Sequence, residues 1–565
     1  MSNSPEVTRR DFLKSGVVAG AVAGVGLGGF YFGYNAAIPS PVRVGVIGTG
    51  DEGSVLIGAL NPNFVQVKAI ADIRPFNQFR AFHGDWGVPV RPGLMSVYGW
   101  KTETEAKRHV KVYGQYQELL ENARKDGIEA IIIATPLHLH APIAIAAMEQ
   151  GLHVITEKLM AHNVGQCKKM ANVAEEHKVY LAIGHQRHYN IKYWQAQDWI
   201  KRGMLGELHS VRAQWHRNNL PPPSNDSWKM PLPPGTKKED MKVKLDEEII
   251  KTRRALATSY GKETESLLKR LAQLEAQVAD AILTKKSDGG LQKVEELGYK
   301  GKTVKQGTAV YECTPLEELV RWRLWDRTSA GMMAELGSHQ LDAASIFVSA
   351  LYPEGAAHPH PLRVVAAANR PIFGLDRDIE DHVCCVIEFP MPEYDEKDPK
   401  THRKKIAVQY ASINGNGYLS YGELVYGTKG TLALEKEQDL KLLKGSGDEG
   451  EGETTVKVSG GGTGPTLDTQ SSGPARKAAA GPGGGPVSKG YAEELEHWAW
   501  CIRHPSPENQ PRCTPKVAMA DAIIALTTNL AVRTGQPIRF KSEWFDVKKT
   551  DDTPEKDLKI DQIAT

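Results

Sequence analysis

Cysteine is scarce in this chain, and the few cysteines that occur are scattered. None of the six cysteines among the 565 residues belongs to a CxxC pair. Paired cysteines at that spacing build zinc ribbons, and a dense set of cysteines builds a disulfide framework, so neither scaffold is expected here. Cys501 and Cys513 flank a turn-rich stretch and are the one pair that we consider for a disulfide.

An excess of charge of either sign is also absent. The chain has 70 Lys and Arg against 68 Asp and Glu, which gives a formal net charge of +2. A nucleic-acid-binding surface needs a large basic field to hold the phosphate backbone. Nucleic acid is therefore not expected as a partner.

The N-terminus has the layout of an export signal. Arg9 and Arg10 precede a Gly/Ala/Val-rich stretch over residues 15–34. A basic helix or a true membrane span is the alternative, but the stretch is Gly-rich and only mildly apolar. The adjacent arginines suit the twin-arginine export machinery, so we predict a signal segment over residues 1–40 and a periplasmic or other extracytoplasmic location. Whether the segment is cleaved or stays as a membrane anchor is open.

A glycine-rich turn follows the first strand-like segment after this signal. Residues 42–47 are apolar and lead into Gly48-Thr49-Gly50-Asp51-Glu52-Gly53 and a helix-like stretch. In such a turn the first glycine allows the tight bend, the second lets the backbone approach a pyrophosphate, and the third lets the helix pack on the strand. A second strand-like segment ends at Asp72, at the spacing of a carboxylate that binds ribose hydroxyls. The pattern predicts a dinucleotide site.

The residues after the second strand bear on which dinucleotide binds. Asp72 favours NAD over NADP, because a carboxylate repels the 2′-phosphate of NADP. Arg74 lies two residues further on and carries a positive charge. NAD is therefore the predicted cofactor, with NADP as the open alternative.

Two further strand-like segments end in polar loops. Residues 130–134 lead into Thr135-Pro136-Leu137-His138-Leu139-His140, and residues 153–156 lead into Glu157-Lys158. Residues 180–184 form another such segment and end at His185. Open α/β sheets bind their ligands at the carboxyl ends of their strands, so these loops are candidates for the site.

The order of these motifs resembles that of the Gfo/Idh/MocA family, named for glucose-fructose oxidoreductase and inositol dehydrogenase. The family pattern is a glycine turn, then ATPxxxH, then EKP, then a helix with DxxxHxxD. The segments that resemble it are Gly48–Gly53, Ala134–His140, Glu157-Lys158-Leu159 and Glu335–Asp342. Leu159 replaces the proline of EKP, Leu137 replaces an Asn or Asp, and Glu335 replaces an Asp, which leaves the identity of the proton-relay carboxylate open.

The resemblance implies an α/β fold with two domains, which the length of 565 residues also favours. A Rossmann NAD(P)-binding domain is expected over residues 41–187. It is followed over residues 188–440 by a C-terminal α+β domain, whose open, mostly antiparallel sheet covers the nicotinamide and makes a homo-oligomer interface. Alternating apolar patterns fit such a sheet at residues 208–215, 362–368, 382–389, 406–412 and 424–434.

Three segments lie outside the family pattern. A helical insertion is expected over residues 221–313, where Leu267, Leu271, Leu274, Val278 and Ile282 recur at steps of three and four, as in one half of a helical hairpin. Its role is open between solvated decoration and a partner or subunit contact. Residues 445–489 are rich in Gly, Ser and Pro and predict a flexible low-complexity loop, and residues 490–540 predict helices that pack back on the body.

Two side chains are candidates for the chemistry. Lys158, at a strand end, can donate hydrogen bonds to a substrate hydroxyl and stabilise negative charge on its oxygen. His339 can take the hydroxyl proton, because an imidazole titrates near neutral pH. Glu335, His339 and Asp342 stand at i, i+4 and i+7 and are expected to share one helix face, where either carboxylate would orient the imidazole ring.

The remaining predicted site residues bind cofactor or substrate. The predicted cofactor-binding residues are Gly48, Gly50, Gly53, Asp72, Arg74, Thr135, Pro136, His140, Glu157 and Lys158. The predicted substrate-binding residues are His185, Gln186, Arg187 and Asn190, whose polar side chains suit a polyhydroxylated ligand. No metal site is predicted, because no cysteine or carboxylate cluster has ligand spacing with His138, His140, His185 or His188.

Together these features predict an exported NAD(P)-dependent oxidoreductase that acts on a hydroxyl of a sugar or polyol. One alternative is an NAD-dependent glycosidase or lyase that oxidises its sugar only transiently. Another is a non-catalytic sugar-sensing protein on the same fold, because fold alone does not fix function.

Overall fold

Two β-sheets organise the protein. The computed structural model describes residues 38–221, 224, 226–237, 244–353, 359–444, 453–456 and 489–559. Most of the predicted signal segment, residues 1–37, lies outside the described residues.

The first sheet is six-stranded and parallel, and it confirms the predicted Rossmann fold. Its strands are β1 (Val42–Ile47), β2 (Val65–Ala71), β3 (Lys111–Tyr113), β4 (Ala130–Ile133), β5 (His153–Glu157) and β6 (Leu181–Gly184). Their order is β3-β2-β1-β4-β5-β6, so the chain reverses direction across the sheet between β1 and β4. A ligand crevice forms at this switch point. The edge strand β3 was not predicted, because three residues are too few to show a periodicity.

Helices cover both faces of this sheet. They are α1 (Asp51–Ala59), α2 (Pro75–His83), α3 (Gly93–Tyr98), α4 (Glu103–His109), α5 (Tyr116–Asn122), α6 (His140–Glu149) and α7 (Val164–Glu176). A 3₁₀ turn over Leu137–Leu139 precedes α6, and a second over Gln186–Tyr189 follows β6.

The second sheet is nine-stranded and mixed, as the family resemblance implied. Its strands are β7 (Leu208–His216), β10 (Arg363–Asn369), β11 (His382–Pro390), β12 (Lys405–Ile413), β13 (Tyr421–Gly427), β14 (Gly430–Glu435), β15 (Asp439–Lys444), β16 (Glu453–Val456) and β17 (Ile538–Arg539). The order is β16-β15-β14-β13-β7-β12-β11-β10-β17, and β7 pairs with β12 in parallel while the other pairs are antiparallel. The alternating patterns predicted the central strands, and β15, β16 and β17 were missed.

Helices pack on one face of the second sheet. These are α8 (Ile191–Lys201), α14 (Ser338–Ser349) and α16 (Pro515–Thr534), whereas the short helix α12 (Pro315–Val320) contacts the segment before it and the short helix α13 (Asp326–Ser329) contacts the turn over Leu137–Leu139. A π-helical turn over Met333–Gly337 runs directly into α14, and a 3₁₀ turn over Trp322–Leu324 precedes α13. Helix α16 is long and apolar enough to cross a membrane, but 67% of its most apolar 18-residue window is buried within the protein.

The predicted helical insertion is present and packs on the nucleotide domain. It contains the antiparallel helices α9 (Leu245–Leu256) and α10 (Lys262–Ala279), a 3₁₀ turn over Asp280–Thr284, the short helix α11 (Lys293–Glu296) and a hairpin of β8 (Lys302–Gln306) and β9 (Ala309–Cys313). Helix α10 lies against α2. Ile282 falls outside α10 and is exposed, so it does not belong to the predicted apolar stripe.

The C-terminal segment returns to both domains. Helix α15 (Tyr491–Arg503) packs against α1, and its apolar residues join the core that β1 and β2 form. A 3₁₀ turn over Ser542–Phe545 and helix α17 (Pro554–Asp557) follow α16. Within the expected flexible loop, residues 453–456 form β16 instead, and residues 445–452 and 457–488 lie outside the described residues.

The disulfide considered for Cys501 and Cys513 does not form. Both residues are buried free thiols. Cys501 lies in α15, which packs on the nucleotide domain, whereas Cys513 precedes α16. The short sequence separation therefore does not bring the two sulfur atoms together.

Candidate active site

The glycine turn forms the floor of a large cleft between the two domains. Gly48 has φ +85°, and a Cβ atom there would lie 2.5 Å from the Ala134 carbonyl oxygen. A Cβ atom on Gly53 would lie 2.1 Å from the Gly48 carbonyl oxygen, so Gly53 permits α1 to pack on the turn. At Gly50 the nearest atom to such a Cβ is the Asn77 Nδ2, 3.7 Å away. Gly50 therefore leaves the cleft side of the turn open for a phosphate group.

Asp72 is held at the end of β2 by hydrogen bonds from the turn. Its Oδ2 accepts from the Thr49 backbone N–H at 2.8 Å, and its Oδ1 accepts from the Arg74 backbone N–H at 2.9 Å. Asn77 Nδ2 donates to both carboxylate oxygens, at 3.1 and 3.2 Å. Burial raises the pKa of this carboxyl. The side chain lines the cleft, in the place expected for a group that binds ribose hydroxyls.

The insertion supplies a carboxylate that pairs with Arg74. Arg74 Nε donates to Asp280 Oδ2 at 2.8 Å, and the Phe76 backbone N–H donates to Asp280 Oδ1 at 3.0 Å. Asp280 is almost fully buried. Arg74 is thus held by a residue more than 200 positions away, which no local sequence pattern shows.

We expect Asp280→Asn to increase the affinity for NADP relative to NAD about tenfold. The amide keeps the shape of the side chain and its bond to the Phe76 N–H, but it removes the negative charge that holds Arg74. Arg74 then becomes available to a 2′-phosphate. Titration of the protein with both nucleotides measures the ratio. Glu275→Gln, which removes an exposed carboxylate of the same insertion, is the control, and an unchanged ratio in both variants would contradict the prediction.

His140 ties together the loops that follow β4 and β5. Its Nδ1 lies 2.8 Å from the Leu159 carbonyl oxygen, and its Nε2 lies 2.9 Å from the Thr135 carbonyl oxygen. Thr135, Pro136 and His140 all line the cleft, as predicted for cofactor-binding residues. Because both ring nitrogens face carbonyl oxygens, the structure gives His140 the role of positioning these loops.

Lys158 reaches across the cleft to the second domain. Its Nζ donates to the Glu335 carbonyl oxygen at 2.7 Å and lies 4.0 Å from the Glu335 carboxylate. Burial and the neighbouring carboxyl of Glu52 raise the pKa of Glu157, beside Lys158, well above its ordinary value. The ammonium group of Lys158 is therefore the positive charge at this strand end.

Glu335 is paired with Arg323 rather than with a histidine. Arg323 Nε donates to Glu335 Oε1 at 2.7 Å. Burial alone would raise the pKa of Glu335, but Arg323 and Lys158 more than offset it and lower the pKa to about 2. The carboxylate is thus ionised and is held at the wall of the cleft.

His339 lines the same cleft and stacks near an aromatic ring. Its side chain is 8% exposed, and its ring centroid lies 5.2 Å from that of Trp215. Its Nδ1 is buried without a hydrogen-bond partner among the described residues. Burial, with the charge of Lys158 added, lowers the pKa of His339 well below 6.5. The imidazole is therefore neutral near pH 7 and can accept a proton.

The structure shows the predicted shared face of Glu335, His339 and Asp342 only in part. Glu335 and His339 both line the cleft, but Asp342 lies outside the cleft lining. Asp342 Oδ1 accepts from His188 Nε2 at 2.7 Å. Among the described residues, neither carboxylate hydrogen-bonds to the His339 ring.

The four predicted substrate-binding residues also lie outside the cleft lining. His185, Gln186, Arg187 and Asn190 are all buried behind α14. Arg187 pairs with Glu437 at 2.9 Å and with Glu423 at 3.4 Å. Asn190 caps α8 by accepting from the Lys192 backbone N–H. The 3₁₀ turn over Gln186–Tyr189 turns this segment into the interior, away from the cleft.

Other residues line the cleft instead, and sequence reasoning did not single them out. They are Glu52, Trp215, Arg217, Trp322, Arg323 and Tyr491. Trp215 belongs to the predicted strand β7, with Arg217 just beyond its end, so strand-end position was an available signal for these two residues. Tyr491 enters from the C-terminal segment, where no local pattern indicated a site.

Comparison with known proteins agrees with this geometry. Residues 42–185 match an oxidoreductase family described by its NAD-binding Rossmann fold. The nucleotide domain is therefore similar to that of the Gfo/Idh/MocA oxidoreductases. Residues 6–26 match the signal sequence of the twin-arginine translocation pathway.

Curated relatives of the family match only part of this chain. A glycosyl hydrolase family 109 protein of Solibacter usitatus is 26% identical over 223 residues, which are 37% of this chain and 46% of that protein. The rhizopine catabolism protein MocA of Rhizobium meliloti is 28% identical over 185 residues, 32% of this chain and 49% of that protein. The chain thus spans less than half the length of these relatives.

Solved structures extend the similarity of fold to both domains. An inositol dehydrogenase homologue of Azotobacter vinelandii, solved with NADH and myo-inositol, aligns with a TM-score of 0.52 over 89% of this chain and 98% of its own. Its sequence identity of 15% supports the shared fold alone.

The cleft fits NAD. Gly50 leaves space beside the N-terminus of α1, and Asp72 presents a carboxylate at the end of β2. Two buried atoms of cleft residues, Thr135 Oγ1 and Asn77 Oδ1, have no hydrogen-bond partner among the described residues. A dinucleotide supplies polar groups for all of these positions.

Proposed function

We propose that this protein is an NAD-dependent oxidoreductase that acts on a CH–OH group of a sugar or polyol. The observation that carries the proposal is the cleft itself, where the glycine turn, Lys158 and His339 meet. Lys158 comes from the nucleotide domain and His339 from the second domain. A ligand that bridges the two domains would therefore contact both side chains.

Lys158 and His339 have separate roles in the removal of a hydroxyl proton. Bound NAD would supply the acceptor for the hydride of the substrate carbon. Lys158 donates a hydrogen bond to the substrate oxygen and stabilises the negative charge that develops there. His339, neutral near pH 7, accepts the hydroxyl proton. Glu335 and Arg323 hold the wall of the cleft beside Lys158, and Glu335 fixes the ammonium through its carbonyl oxygen.

Redox-neutral cleavage of a sugar is the second candidate. It is favoured by relatives named as glycosyl hydrolase family 109 proteins, which match 26–30% of their aligned residues. In this chemistry a carbon of the sugar is oxidised transiently and then reduced again, so NADH does not accumulate. The same Lys158 and His339 would serve both reactions.

The test separates these two functions by following cofactor and product together. The purified protein is mixed with NAD and a panel of sugars, polyols and glycosides, and the absorbance of reduced nicotinamide is recorded while products are analysed. Net NADH formation with a polyol or sugar supports the proposal. Cleavage of a glycoside without net NADH supports the second candidate, and binding without either reaction would favour a sugar-sensing role.

We also propose that the protein works in the periplasm. The match to a twin-arginine signal over residues 6–26 supports export. Replacing Arg9 and Arg10 by lysine keeps the charge but removes the arginine pair that the pathway reads, so the protein is expected to stay in the cytoplasm. Cell fractionation measures this, and undiminished export of the double variant would contradict the assignment.

A second copy of the chain is the proposed partner of the open sheet. On its uncovered face, Val365 of β10 and Val386 of β11 stand directly opposite each other and are 43% and 42% exposed. Cys384 lies on the same face and is also exposed. Contact between two such faces would bury this apolar surface.

A further inference from the structure

A second cluster of polar groups lies behind His339, outside the cleft. His185 follows β6, Asp342 lies on α14 three residues after His339, and Asp521 lies on α16. One ring nitrogen of His185 and one oxygen of each carboxylate all lie within 4.8 Å of one another. The three side chains are at most 1% exposed. Three separate elements therefore meet at one buried point.

Several polar atoms of this cluster lack a conventional hydrogen-bond donor or acceptor in the described part of the chain, and the carboxyl groups of Asp342 and Asp521 lie within hydrogen-bond distance of each other. Both ring nitrogens of His185 have no hydrogen-bond partner among the described residues, and the same holds for Asp342 Oδ2 and Asp521 Oδ2. Buried polar atoms in proteins are almost always hydrogen-bonded, so a group of unpaired atoms that face one another calls for an explanation. A bound cation would contact one ring nitrogen of His185 and one oxygen of each carboxyl group.

The distances suit a metal ion better than a hydrogen bond. His185 Nδ1 lies 3.6 Å from Asp342 Oδ2, which is beyond hydrogen-bond range. Two ligands that each lie about 2.0–2.2 Å from one tetrahedral metal ion are separated by about 3.3–3.6 Å. The other oxygen of Asp342 accepts from His188 Nε2 at 2.7 Å, and such a second contact commonly orients a ligating carboxylate.

Charge gives an independent reason for a cation. Asp342 and Asp521 place two carboxyl groups side by side in the interior, where like charges repel strongly. Either a proton or a cation must lie between them. His185 offers a nitrogen lone pair beside the same two carboxyl groups. A proton shared by the two carboxyl groups would leave this lone pair without a partner.

A cavity adjoins the cluster on one side. This cavity is lined by His188, Asp342, Ser345 and Asp521, among others. It provides a path for an ion and space for a water molecule as a fourth ligand. A zinc-type ion accepts imidazole and carboxylate ligands together with water.

We propose that His185, Asp342 and Asp521 bind one divalent transition-metal ion of the zinc type. The ion would join α14, which carries His339, to the end of β6 and to α16. It would thus fix the position of His339 without contacting the substrate, and its binding does not depend on which reaction the cleft performs.

The test measures Zn²⁺ on the full-length protein. After purification without chelators, and after incubation with one equivalent of Zn²⁺ followed by desalting, metal analysis is expected to give about one Zn²⁺ per chain. Asp521→Asn keeps the volume of the side chain and is expected to weaken Zn²⁺ binding about 100-fold in a calorimetric titration. Saturating Zn²⁺ is expected to raise the melting temperature of the wild-type protein and to leave that of Asp521→Asn unchanged.

A control separates loss of the ion from loss of stability. Asp226 is equally buried but pairs with Arg377, away from the cluster, so Asp226→Asn is expected to keep wild-type Zn²⁺ affinity even if its melting temperature falls. The proposal is overturned if the wild-type protein retains no Zn²⁺ and its melting temperature does not respond to the ion, because the two carboxyl groups then share a proton. It is equally overturned if Asp521→Asn binds Zn²⁺ as tightly as the wild type.

Discussion

Lys158→Met is expected to lower the rate of nicotinamide reduction by about 10²-fold to 10⁴-fold on a substrate identified from the panel. Methionine keeps an unbranched apolar stem but removes the ammonium group that donates to the substrate oxygen. The interaction strengthens as charge develops on that oxygen, so the turnover rate falls far more than substrate affinity. His339→Ala is expected to show a similar loss of rate, because the acceptor of the hydroxyl proton is gone.

Single-turnover absorbance of reduced nicotinamide measures both variants. Lys107→Met is the matched control, since Lys107 is an exposed lysine that pairs with Glu103 on the surface of the nucleotide domain. It is expected to react at the wild-type rate. If Lys158→Met and His339→Ala also react at the wild-type rate, the chemistry takes place elsewhere in the protein.

Gly50→Val is expected to weaken NAD binding by about 100-fold or more without unfolding the protein. The added side chain meets no protein atom closer than Asn77 Nδ2, so the turn itself can accept it. It would instead project into the space beside α1 that the pyrophosphate approaches. NAD titration and thermal unfolding of the same sample give the two quantities.

Gly53→Ala is the control, because we expect it to lower the stability of the fold, which Gly50→Val is expected to keep. Its methyl group would lie 2.1 Å from the Gly48 carbonyl oxygen, a backbone atom that cannot move without opening the turn. We expect a lower melting temperature for this variant. If Gly50→Val binds NAD as tightly as the wild type, the pyrophosphate does not pass over this turn.

The sequence patterns predicted the parts of the molecule whose residues are close together in the sequence. The strand, glycine turn and helix around Gly48 are contiguous in sequence, and so are the alternating strands of the second sheet. The cleft positions of Asp72 and Lys158 followed from their places at strand ends, because the carboxyl ends of parallel strands lie at the same edge of the sheet.

The missed features depend on contacts between distant segments. The sequence shows His185 as one polar residue in a polar run, and only the fold brings it to Asp342 and Asp521. The pairing of Arg74 with Asp280 joins the nucleotide domain to an insertion without a family pattern. Asp342 pairs with the distant His188 outside the cleft, a contact that the i, i+4, i+7 spacing of Glu335, His339 and Asp342 does not show.

The return of α15 to the nucleotide domain has a consequence for the order of events during synthesis. Leu495 and Trp498 are buried in the same hydrophobic core as Val42 and Val65. Arg503 pairs with Glu129, which lies next to β4. The ribosome makes these partners more than 350 residues apart, so the first domain cannot complete its core until almost the whole chain has emerged. The signal at residues 6–26 is exposed long before that moment. A pathway that carries finished, folded proteins is therefore suited to a chain whose first domain is among the last parts to be completed.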